Sequence, residues 1–131
     1  MGVAGRVDPE NETIVGRLEL NERFVRTRLP NASSPANIRV ITGYGDSMQG
    51  TYEDGDPLFV DVGITELKVD ATYCFALNDE FYVKRLQRLP NGSIKIKSDN
   101  PHYDDILIPA PERANLRIIG RVLGAWNWRK L

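Results

Sequence analysis

From residue 38 onward the chain is cut into short runs rich in β-branched, aromatic and aliphatic residues, each closed by turn-forming residues. The runs cover residues 38–42, 58–61, 72–77, 80–89, 93–97, 106–108 and 116–128. Asn78-Asp79 joins two of them as a two-residue hairpin loop, and Pro90-Asn91-Gly92 joins the next pair. Strands this short satisfy their backbone groups by pairing with sequence neighbours. The pattern therefore predicts a mostly β fold, a compact antiparallel barrel-like or sandwich arrangement with little helix. One short helix is expected over residues 21–28, where Asn21 can cap the N-terminus, Glu22 follows in the first turn, and Leu20, Phe24, Val25 and Arg28 recur at helical spacing.

The ends are read differently. Residues 1–12 are polar and glycine-containing and read as a flexible arm, leaving 13–131 as a single domain. Residues 13–20 alternate loosely and suit an edge strand, and residues 30–37 form a loop by composition. Trp126 and Trp128, two apart, share one face of the last strand. They serve either as a cover over the end of the sheet or as a dimer interface, where Trp is enriched.

Charge and composition exclude several classes. At a formal net charge of −1 the domain has no general attraction for nucleic acid or an anionic membrane. No helix-turn-helix is evident, so if the protein acts on DNA the DNA-binding part lies elsewhere, in a domain absent from this chain. Cys74 is the single cysteine, which removes a disulfide framework and suits a reducing compartment. No apolar run approaches the roughly 18 residues of a membrane span and no signal peptide opens the chain, so a cytoplasmic location is expected. With one His and one Cys a zinc site is not expected. Asp46, Asp54 and Asp56 lack EF-hand spacing, and no metal or cofactor is implied.

Two residues suggest chemistry. Lys84 lies within the apolar strand Phe81-Tyr82-Val83-Lys84-Arg85-Leu86, on the same face as Tyr82 and Leu86. Such a lysine either snorkels its ammonium to solvent or holds it desolvated, and a desolvated amine loses basicity until it can take a proton from a hydroxyl. Ser47 is the matching nucleophile, in the turn Gly45-Asp46-Ser47-Met48, whose backbone N–H groups can point outward. A Ser–Lys pair needs no third residue, and its side chains are expected within hydrogen-bonding distance. His102, in a turn-rich loop, reads as a surface histidine, and Cys74 as buried and inert.

The ordered motifs Gly45-Asp46-Ser47-Met48, Asp54-Gly55-Asp56, Tyr82-Val83-Lys84-Arg85-Leu86, Ser98-Asp99-Asn100-Pro101 and Ile119-Gly120-Arg121-Val122 resemble the C-terminal domain of LexA-like proteins, the peptidase S24 family, over most of the chain from about residue 38. The resemblance is to its phage- or prophage-type repressors. It implies a mostly β domain that dimerises and cleaves its own chain, with Ser47 as nucleophile and neutral Lys84 as base. The backbone N–H groups of Asp46 and Ser47 would form the oxyanion hole, and Ala4-Gly5, preceded by Val3, would be the scissile bond. It further implies a homodimer, and cleavage stimulated by a RecA filament during the DNA-damage (SOS) response. Met48 is followed here by Gln49-Gly50 where many members continue Glu-Pro, which leaves the turn less rigid. Alternatives are a non-cleaving dimerisation module controlled by an antirepressor, a UmuD-like polymerase accessory protein, and a signal-peptidase-like enzyme, the last disfavoured by the absence of an anchor.

Overall fold

The computed structural model describes residues 21–127 and residue 131. Ala4, Gly5, Trp128, the arm expected at 1–12 and the strand expected at 13–20 lie outside the described residues. Helix α1 (Glu22–Arg28) forms where its cap sits: the Asn21 side chain accepts the Phe24 N–H at 2.7 Å. Glu22 and Arg26 pair one turn apart. The helix buries Val25, which packs with Leu29 and Phe59 on one face of the sheet. None of the described helices is long and apolar enough to cross a membrane.

Seven strands follow: β1 (Ile38–Thr42), β2 (Pro57–Asp61), β3 (Ala71–Leu77), β4 (Glu80–Arg88), β5 (Ile94–Lys97), β6 (Ile106–Ile108) and β7 (Leu116–Ala125). The mostly β, antiparallel fold is as expected, and its strands form one continuous seven-stranded sheet in the order β1-β2-β7-β3-β4-β5-β6. Strands β3 to β6 are a simple meander, whereas β7 returns to lie between β2 and β3. The β3–β4 turn is Asn78-Asp79, both at positive φ (50° and 67°), the left-handed pair that a two-residue hairpin loop requires.

Boundaries differ from expectation by local chemistry. β5 begins at Ile94 rather than 93 because Ser93 donates its N–H to the Asn91 side chain at 3.0 Å and belongs to the turn. β7 ends at Ala125 rather than 128, where its partner β2 begins, and the Trp126 N–H closes the pairing on the Pro57 carbonyl at 2.9 Å.

The sheet is covered on both faces. Leu58 and Val60 of β2, Cys74 of β3 and Val83 of β4 meet Ile41, Met48 and Tyr52 in one cluster. Tyr73 and Phe75 point into another with Leu86, Ile94, Ile96 and Ile108. This two-sided burial is why β3 reads as an unbroken apolar run rather than an alternating one. Gly120 lies tight against β2: a Cβ there would lie 2.6 Å from Val60 Cγ1 and 2.7 Å from the Asp61 carbonyl oxygen. The β2–β7 register shifts beside this contact, between Phe59 and Val60.

Candidate active site

Between β1 and β2 the chain makes a loop that braces its own backbone. The Gly43 N–H donates to the Asp56 carbonyl at 2.9 Å and the Gly55 N–H to the Gly43 carbonyl at 2.7 Å, drawing the two ends together. Asp54 accepts the Gly45 N–H and Asp56 the Glu53 N–H, each at 2.8 Å, so these carboxylates stabilise turns. Gly45, at φ 82°, turns the chain into the Asp46-Ser47-Met48 segment. The Met48 carbonyl accepts from Thr51 and Tyr52 N–H groups, and the Met48 and Tyr52 side chains are anchored in the core. Gly43 makes room for that anchor, since a Cβ there would stand 2.4 Å from the Tyr52 ring.

Ser47 is held between these anchors and is 0% exposed. Its Oγ has no hydrogen-bond partner among the described residues. A buried hydroxyl left unpartnered costs roughly 1–3 kcal/mol, which a purely structural turn serine would avoid. The Asp46 and Ser47 carbonyls are engaged: the Asn100 side-chain amide donates to the first and the Asn100 N–H to the second, each at 2.9 Å. Their N–H groups donate to nothing among the described residues.

Lys84 lies in the middle of β4 opposite Tyr73, with Tyr82 and Leu86 beside it on the same face. At 7% exposure it is desolvated rather than snorkelling. Burial pulls its amine down from the ordinary 10.5 to about 8, against the opposing pull of the Asp46 carboxylate. Holding the amine that low costs about 3 kcal/mol, supplied by the surrounding packing.

The segment after β5 clamps serine loop and lysine together. Lys84 Nζ donates to Ser98 Oγ at 3.0 Å and lies 5.4 Å from the centre of the Tyr103 ring. The Tyr103 hydroxyl donates to the Asp46 carboxylate. Asp99 takes Arg85 in a two-point ion pair at 2.9 and 2.8 Å, accepts the Thr51 hydroxyl, and donates its own N–H toward Met48 Sδ at 3.4 Å. Through the side chains of residues 98, 99, 100 and 103, five contacts converge on residues 46–51 and on Lys84.

The expected hydrogen bond between Ser47 and Lys84 is not made. Nζ donates instead to the Ser98 hydroxyl and lies against the Tyr103 ring, and Ser47 Oγ is left without a hydrogen-bond partner among the described residues. His102 is exposed, and its backbone N–H donates to the Asn100 side chain at 3.0 Å. Cys74 is buried and its thiol is pushed up to about 12 by that burial, so it stays protonated and unreactive. Trp126 is 43% exposed and its indole rests against Phe59 at 6.2 Å between ring centres. Ser98 is visible in sequence only as a member of a motif. Tyr103 carries no sequence signal, because its role depends on a contact with Asp46, 57 positions away. A cavity of about 690 Å³ bounded by Leu67, Lys68, Arg113 and Arg117 shares no residue with this cluster.

A family model described as peptidase S24-like matches residues 3–123. The chain is 41% identical over 93 residues to the 26 kDa repressor protein of Escherichia phage HK022, covering 71% of this chain and 39% of that protein. It is 30% identical over 118 residues to repressor protein CI of Enterobacteria phage phi80, covering 90% of this chain and 48% of that protein. An uncharacterized HTH-type transcriptional regulator of Haemophilus influenzae is 30% identical over 87 residues, covering 66% of this chain and 36% of that protein. The chain thus spans less than half the length of each of these relatives.

Proposed function

Because this chain belongs to the peptidase S24-like family, we propose that it is the C-terminal regulatory and dimerisation domain of a phage-type transcriptional repressor, carrying a latent self-cleaving peptidase built on Ser47 and Lys84. The observation that carries the proposal is a buried, unpartnered serine hydroxyl and a buried lysine of lowered basicity, gripped by the same segment. Neutral Nζ keeps an N–H for Ser98 while its lone pair accepts the Ser47 Oγ proton. Oγ then bonds to the Ala4 carbonyl carbon, and the oxyanion is held by the N–H groups of Asp46 and Ser47. The ammonium of Lys84 returns the proton to the Gly5 nitrogen as the Ala4–Gly5 bond breaks. Water hydrolyses the resulting Ala4 ester and frees Ser47.

In this reading the partner is a second copy of the chain, and a RecA filament stimulates the cut during the SOS response. Cleavage would separate dimerising and DNA-binding parts, and the loss of bivalency would weaken operator binding. Intact-mass measurement during incubation at pH 9–10 tests it. Loss of Met1 to Ala4, abolished by Ser47→Ala and by Lys84→Ala, is the expected outcome. One observation favours a second reading: with no Ser47–Lys84 hydrogen bond, a non-cleaving dimerisation module answering to an antirepressor accounts for the resting geometry. An unchanged mass over days would select it.

A further inference from the structure

Around Lys84 the groups pull in opposing directions, and one is itself restrained. The charged or titratable groups that face its amine are the Asp46 carboxylate from the serine loop and the Tyr103 phenol from the segment after β5. From β3 comes Tyr73, whose hydroxyl is turned away and spent on the Val69 carbonyl at 2.7 Å. Asp99, on the same segment as Tyr103, is committed to Arg85. Among the described residues Asp46 is therefore the one carboxylate left to act on the amine, and Tyr103 holds it by a hydrogen bond while laying its ring against Nζ. The arrangement is a closed circuit from Lys84 to Tyr103 to Asp46.

We infer that Tyr103 and Asp46 are positioning residues that set the proton affinity of Lys84, with Asp46 favouring the ammonium and the Tyr103 hydroxyl restraining Asp46. A carboxylate near an ammonium favours the charged form, which is the wrong form for a base. The phenol O–H occupies one Asp46 oxygen and disperses its charge, so the amine feels less of it. Asp46 is exposed, so its effect is also weakened by salt. On the reading that Lys84 is the base, the circuit throttles the peptidase: releasing Asp46 from Tyr103 raises the amine's affinity for its proton, and neutralising Asp46 lowers it.

The test separates this inference from that reading by using the Ser47→Ala chain, which cannot cut whatever the mechanism. The Lys84 amine is titrated by NMR in protein labelled with 13C at lysine Cε. Asp46→Asn keeps an oxygen for Tyr103 and should lower the Lys84 midpoint by roughly half a pH unit, the usual shift discounted for exposure. Tyr103→Phe keeps the ring and should raise it by a smaller amount. In the Asp46→Asn background Tyr103→Phe should then do nothing, because the phenol acts through the carboxylate charge. A midpoint that Asp46→Asn leaves unmoved or raises would overturn the inference. So would a Tyr103→Phe shift of equal size in both backgrounds, which would make the tyrosine a packing group alone. With Ser47 restored, the pH–rate curve of self-cleavage should move by the same amounts, a readout that loss of folding would not mimic.

Discussion

Lys84→Met is the sharpest test of how this site is held. The substitution keeps the length and apolar stem of the side chain and removes only the amine, so the packing against Tyr82 and Leu86 survives. In the folded protein the amine sits at about 8 instead of 10.5, with burial as the leading cause. Between those values the unfolded chain binds a proton that the folded chain does not. Stability of the parent therefore rises with pH through this window. Below about pH 8 the full penalty of about 3 kcal/mol is present, and it fades as pH climbs toward 10.5. Removing the amine also removes the bond to Ser98 and the contact with the Tyr103 ring, worth about 1 kcal/mol each. The net expectation at pH 7 is a variant more stable by about 1–2 kcal/mol. Urea unfolding of both proteins at pH 7 and at pH 9.5 measures it, because differences between them cancel every other titrating group. The advantage of the variant should shrink by about 2 kcal/mol over that range. An advantage independent of pH would refute the claim that Lys84 is desolvated in the folded state, and with it the physical basis for a lysine base.

Other consequences follow from the same contacts. Gly120→Ala places a methyl 2.7 Å from the Asp61 carbonyl oxygen, which cannot retreat, and should cost about 2–3 kcal/mol by thermal unfolding. Asp79→Gly relieves a left-handed residue at φ 67° in the β3–β4 turn and should raise stability by about 0.5–1 kcal/mol. The Arg85 hydrogen bonds hold the Asp99 carboxyl below its ordinary range, so its contribution is present above that range and lost as pH falls through the lowered value. Asp99→Asn should therefore cost about 1 kcal/mol at pH 7, discounted for the half-exposed arginine, and converge with the parent in acid.

Much of the fold was legible because its signals are local. Strand runs, the Asn78-Asp79 turn and the Asn21 cap each depend on residues within a few positions, and each lies where the spacing predicts. Lys84 was legible for the same reason, since period two alone puts it on an apolar face. The cross-chain part was not. That β7 inserts between β2 and β3 is decided by long-range burial, with Gly120 permitting the close approach, and no short-range pattern encodes it.

By itself, then, the sequence determined a mostly β chain with a serine motif in a tight turn and an out-of-place lysine, and its ordered motifs pointed to one family. Only the tertiary structure decided what surrounds the pair. Residues 98–103 fold over both, bringing Ser98 and Tyr103 to the amine and Asn100 to the serine backbone. It also decided that the resting lysine bonds Ser98 and leaves the Ser47 hydroxyl without a partner among the described residues. The reason is physical: secondary structure follows from neighbours along the chain, whereas a buried amine's basicity depends on which distant groups exclude water from it and which charges they place beside it.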